Sequence, residues 1–98
     1  MEDKLIKALE EVEDEESFIS FVSALAEDKS EETKEEQSNP SSPFGSGANG
    51  WENSRIEDFL DAAAAWATAS QNGLEYYQKP LNIWRRCADI LYAGKIYE

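Results

Sequence analysis

The sequence predicts an all-α fold: a small bundle of three or four helices with one long flexible loop. Three observations carry that expectation. Apolar residues recur at steps of three and four in several segments, which is the period of a helix with one buried face. No segment alternates apolar and polar residues between hairpin turns, so strands are not expected. The run Ala62–Ala65 has the highest intrinsic helix propensity and lets a neighbouring backbone approach closely.

The elements follow in order. Leu5, Ile6, Leu9 and Val12 fall at helical spacing among Glu and Lys, which predicts a short amphipathic helix over 3–13. Asp14 or Ser17 can cap the next one, whose stripe is Phe18, Ile19, Phe21, Val22, Leu25 and Ala26. Beyond Ala26 the sequence EDKSEETKEEQS is polar all round. Charge pairs there add only a few tenths of a kcal/mol each, so this stretch is expected to fray or be partly disordered. Residues 38–50, SNPSSPFGSGANG, read as a loop rich in Pro, Gly, Ser and Asn, with Phe44 its one apolar residue.

Ser54 and Glu57 then form the capping-box pattern, in which each side chain satisfies a backbone N–H at the helix start. Ile56, Phe59, Leu60, Ala63, Trp66 and Ala67 make the face of that helix, and Gly73 is placed to end it in the left-handed conformation. Pro80 is suited to the first position of a last helix. Leu81, Trp84, Ala88 and Leu91 form its stripe, Ile83, Cys87 and Ile90 widen it, and Gly94 closes it. Ile96 and Tyr97 are expected to fold back on the bundle.

The 98 residues make one domain, 1–98, with a single modest core. Charge is distributed unevenly. Residues 1–37 hold 14 acids and 4 lysines, net −10; residues 38–98 hold 7 acids and 5 bases, net −2; the total is −12. Such a first half repels nucleic-acid phosphates and anionic membranes, and suits a basic protein partner or simply a solvated face. No apolar run approaches the ~20 residues of a membrane span. One cysteine and no signal-peptide pattern make a soluble cytoplasmic protein the expectation.

Candidate chemistries are few. The glycine-rich loop before Trp51 lacks the lysine and Ser/Thr that a phosphate loop needs, and Glu52, Glu57 and Asp58 would repel phosphate. With no histidine in the chain, Ser54 reads as a cap, and Cys87, in an apolar stripe, reads as packing. No cofactor and no metal is therefore expected, and the protein is not expected to be an enzyme. Trp51 is either packed over the helix start or exposed as an anchor for a partner, and the core role is favoured because large aromatics are usually mostly buried. Arg85, Arg86 and Lys95 either pair with acids and helix dipoles or form a docking patch, with Tyr76, Tyr77 and Lys79 as aromatic and basic neighbours.

The second half also resembles a family of small, acidic, uncharacterised bacterial proteins. The matching positions are Gly50, Trp51, Glu52 and Asn53, then Phe59, Leu60 and Trp66, then Trp84, Ala88, Leu91, Lys95, Tyr97 and Glu98. The helix from Phe18 to Leu25 matches loosely, so the resemblance covers roughly two-thirds of the chain. It implies a bacterial cytosolic protein without an established activity. It also implies that Trp51, Glu52 and Asn53 join the Tyr97-Glu98 end in one site or one structural clasp.

The candidate partner-binding residues are thus Trp51, Glu52, Asn53, Tyr76, Tyr77, Arg85 and Tyr97. The leading expectation is a non-enzymatic interaction module, in its most concrete form an immunity-type inhibitor or adaptor that binds a basic protein. The alternatives are a self-associating structural bundle, for instance a homodimer, and, remotely, a carboxylate-based hydrolase.

Overall fold

The computed structural model describes residues 2–38 and 49–97. Most of the predicted loop, including Phe44, and the terminal Glu98 lie outside the described residues. Four helices form the described fold: α1 (Glu2–Glu10), α2 (Glu15–Ser38), α3 (Ile56–Ala69) and α4 (Ile83–Ile96). The helix α4 touches all three others, while α1 packs mainly on α2 and α3 mainly on α4. Where these meet, Leu5, Leu9, Val12, Phe21, Leu25, Trp51 and Ala88 are buried together, with Phe18, Phe59, Trp84 and Leu91 packed against them.

The helix α1 is shorter than its apolar pattern predicts. The Val12 N–H bonds back to the Leu9 carbonyl at 3.2 Å, turning the chain so that Val12 itself enters the core. Asp14 then caps α2: its Oδ1 accepts from the Ser17 N–H at 2.9 Å, while Ser17 Oγ accepts from the Asp14 N–H at 3.0 Å. These reciprocal bonds are a capping box with Ser in the third position. The Ser17 N–H, and then the Ser17 hydroxyl, which also donates to Oδ1 at 2.7 Å, hold the Asp14 carboxyl below its ordinary value.

Beyond Ala26 the outcome differs from the expectation of fraying. The helix α2 continues through the acidic stretch to Ser38. The reason is that two of its acids, Asp28 and Glu32, are buried and bonded to groups far along the chain. They extend the stripe of Phe21 and Leu25 at helical spacing, so the buried face outlasts the apolar residues.

The Ser54–Glu57 capping box does not form. The N-cap of α3 is Arg55, in extended conformation and without a side-chain cap bond, and Glu57 pairs with Arg55 instead at 2.7 Å. Ile56 and Leu60 are exposed, and the inward face is Phe59, Ala62, Ala63 and Trp66. Gly73, at φ +84°, takes the left-handed turn after the helix end, as its position predicts.

Pro80 does not begin α4. Asn82 is the N-cap, its Oδ1 accepting from the N–H groups of Trp84 at 2.9 Å and Arg85 at 3.2 Å. The buried face of α4 is also rotated from the predicted stripe. Leu81, Ile83 and Cys87 are exposed, whereas Arg86 and Asp89 are buried. Two polar side chains are drawn inward because α3 and the α3–α4 connector supply their partners, as described below.

Gly94 does not close α4 but lies within its last turn, where Phe59 presses on it. Ile96 is the last helical residue rather than part of a returning tail. A Cβ on residue 94 would lie 2.8 Å from Phe59 Cε2 and 3.0 Å from the Phe59 carbonyl oxygen, which cannot rotate away. Gly94→Val gains only a few tenths of a kcal/mol in helix propensity. It is therefore expected to lower stability by about 1–3 kcal/mol through overpacking. A urea titration followed by circular dichroism checks this.

Candidate functional site

All the candidate residues but Tyr76 gather in two places beside α4, one interior and one open. The interior one starts from Asn49 and Gly50. Gly50 has φ +80°, a conformation that L side chains rarely adopt, and this turn brings the following backbone against α2. Glu32 Oε1 accepts from the N–H of Asn49 at 3.0 Å and of Trp51 at 3.2 Å. Asn49 Nδ2 donates to the Asp28 carbonyl at 2.9 Å.

Trp51 is only 5 % exposed, so the core reading of this residue holds and it offers no anchor at the surface. Its indole N–H donates to Asp28 Oδ2 at 2.9 Å. Lys95 Nζ donates to the same oxygen at 2.7 Å, and both ionised side chains are fully buried. The ammonium also lies 5.6 Å from the Trp51 ring, within cation–π range. Asp28 Oδ1 has no hydrogen-bond partner among the described residues.

The next two residues close the clasp on the other side. The N–H groups of Glu52 and Asn53 donate to the Lys95 carbonyl at 3.0 and 3.4 Å. Asn53 Nδ2 donates to the carbonyls of Gly94 at 3.1 Å and Tyr97 at 2.8 Å. A helix leaves its last carbonyls without intrahelical donors, and these bonds satisfy them at the end of α4. Anchoring Asn53 there also explains why α3 starts after Ser54. Trp51 and Asn53 thus tie the C-terminal half of α2 to the end of α4, while the Glu52 side chain points to solvent.

The open place is a cleft of about 410 Å³ whose lining includes Tyr77, Arg85 and Tyr97, three of the predicted residues, together with Trp66, Asp89 and Tyr92. Its polar floor is a fixed network. The Tyr77 hydroxyl donates to Asp89 Oδ2 at 2.7 Å, and Arg85 Nε donates to Asp89 Oδ1 at 2.9 Å. Arg86 Nη1 donates to Ser70 Oγ and Nη2 to the Ala67 carbonyl, both at 2.9 Å. That places a cation at the C-terminal end of α3, where the helix dipole favours it. Trp66 and Tyr77 meet edge to face at 4.8 Å between centroids.

Those contacts place the family relationship in context. The profile of a family of unknown function, DUF7660, matches residues 14–98. The chain belongs to that family. No curated protein and no solved structure matches it. The DUF7660 region begins at the α2 cap, Asp14, and contains every described residue of the clasp and of the cleft; α1 precedes it. Among the described residues of this DUF7660 chain, no helix is long and apolar enough to cross a membrane.

Tyr76, the remaining candidate, lines neither place and stands 94 % exposed on the connector. The participants not singled out from sequence are Asp28 and Glu32 in the clasp, and Trp66, Asp89 and Tyr92 in the cleft. The signal for the first pair was present: Phe21, Leu25, Asp28 and Glu32 keep one helical face. For Asp89, nothing in its own segment shows that Tyr77 would reach it.

Tyr77 provides a pH readout for this network. Desolvation, and then its hydrogen bond to Asp89, push its phenol above the ordinary value of 10.0, with Arg86 acting in the opposite sense. Because folding favours the protonated phenol, its contribution to stability is complete below the ordinary tyrosine pKa. It is lost as pH rises through the raised one. Ultraviolet titration of phenolate is expected to show one tyrosine ionising late, and Tyr77→Phe is expected to remove that step.

Proposed function

We propose that this chain is a non-enzymatic protein-interaction module of a bacterial cytoplasm, an immunity-type inhibitor or adaptor that binds a basic protein. The observation that carries this reading is the connector between α3 and α4. Tyr76 and Leu81 stand almost fully exposed on it, and Ile83, the first residue of α4, is 71 % exposed, all three within eight residues. Large aromatic and aliphatic side chains presented in this way are the usual anchors of an interface.

The acidic surface supports the sign of the partner's charge. Asp28 and Glu32 are taken inside, yet Glu15, Glu16, Glu27, Glu31 and Glu35 of α2 remain exposed. A surface of that sign accelerates encounter with a basic partner and discourages acidic ones. The anchors then supply the affinity, and the acids supply rate and selectivity.

The test captures partners on the immobilised full chain from a bacterial lysate, then measures association of the purified partner against salt. The expected result is one basic protein whose association rate falls at least about tenfold from low to high salt, as electrostatic steering requires. Replacing the five exposed α2 glutamates by glutamine should weaken that salt dependence. Tyr76→Ser with Ile83→Ser should speed dissociation while leaving helicity unchanged. An association rate indifferent to salt and to the glutamines would refute steering. A dimer by light scattering that captures no partner would favour the self-associating alternative.

A further inference from the structure

The cleft beside α4 is walled mainly by aromatic side chains, unlike the acidic surface, and its ligand would not be the basic partner. We infer that it binds a small aromatic carboxylate, stacking the ring among its aromatic walls and pairing the carboxylate with Arg85. At about 410 Å³ the space is that of a small-molecule site rather than of a packing defect. Trp66, Tyr77, Tyr92 and Tyr97 supply aromatic faces and edges, against which a planar ring packs by offset or edge-to-face contact. The Trp66–Tyr77 contact and the Arg86 bonds to α3 hold part of that wall in place without a ligand.

The charge of the ligand follows from which polar atoms are already engaged. Both oxygens of Asp89 are occupied, one by Arg85 Nε and one by the Tyr77 hydroxyl. The Arg85 guanidinium already neutralises Asp89, which leaves that carboxylate a weak draw for a cationic ligand. Arg85, in contrast, commits only Nε; among the described residues its two Nη groups have no hydrogen-bond partner, and its side chain is about one-third exposed at the cleft. A guanidinium edge in that state matches a carboxylate. A mainly apolar lining favours a monoanion with an aromatic body over a heavily hydrated phosphate.

Phenylacetate and naphthylacetate, each compared with its uncharged amide, test this on the full chain by NMR of the indole N–H groups. Saturable binding that shifts the Trp66 indole is expected. The amides should bind at least about tenfold more weakly, the loss of a charge-assisted hydrogen bond. Arg85→Gln should bring the acids down to the affinity of the amides without changing the amides' own. The acid–amide comparison on the unmodified protein stands even if that variant is perturbed. Equal binding of acid and amide, shifts confined to Trp51 or Trp84, or no saturable binding of either acid would overturn the proposal.

Discussion

Replacing Lys95 by methionine is expected to lower stability by about 3–5 kcal/mol, the cost of breaking a buried ion pair from one side. Lys95 and Asp28 are both fully buried and 2.7 Å apart. Methionine fills much the same volume, so packing changes little. What remains is a carboxylate out of water, with the Trp51 indole N–H on Oδ2 and no hydrogen-bond partner among the described residues on Oδ1. Removing both charges, with Asp28→Leu and Lys95→Met together, should recover part of the loss, because a hydrophobic pair escapes the desolvation that a lone charge suffers. A double-mutant cycle from urea titrations measures this, and strictly additive effects would mean that the two groups do not act as a pair.

Trp51→Ala is expected to cost a similar amount, about 3–5 kcal/mol, by emptying a large buried site. The ring packs against Phe59 at 5.9 Å between centroids and lies beneath the Lys95 ammonium, so its loss loosens α3 as well as α4. Either variant removes a large share of the roughly 5–15 kcal/mol by which small domains are stable. Trp51→Phe keeps most of the volume and deletes the N–H donated to Asp28. It should cost less, about 1.5–3 kcal/mol, the range for a hydrogen bond to a charged group. In both cases α2 should lose helicity beyond Ala26, since the burial of Asp28 and Glu32 holds that half in place. Far-ultraviolet circular dichroism below the unfolding transition reads that loss.

The helical architecture was legible because it depends on local patterns. The stripes Leu5–Leu9–Val12 and Phe18–Phe21–Leu25, the cap at Asp14 and the glycine turn at Gly73 each act within a few residues. What sequence alone could not supply were partners far along the chain. Asp28 and Glu32 look like solvated acids until Lys95 and the backbone of residues 49–51 arrive. The stripe on α4 appeared to include Ile83 and Cys87, yet Arg86 and Asp89 take the inner positions because the end of α3 and Tyr77 meet them there. The Ser54–Glu57 pattern is a sound local signal, defeated by Asn53 being held on the carbonyls of α4.

The candidate site was legible in the same uneven way. The pairing of the Trp51–Asn53 stretch with the Tyr97 end is present, but as main-chain and buried bonds that hold the fold together. Tyr77, Arg85 and Tyr97 do share a cleft, whereas Tyr76 stands apart on the connector. The protein therefore separates an interior tie, built on an ion pair, from the exposed surfaces available to a partner or ligand.

That separation is tested most directly by hydrogen exchange at the Trp51 indole N–H. Exchange as slow as that of the core amides of α4, governed by global unfolding, is the predicted result. Exchange near the rate of a free indole, while those amides stay protected, would contradict it and return Trp51 to the surface as a docking residue.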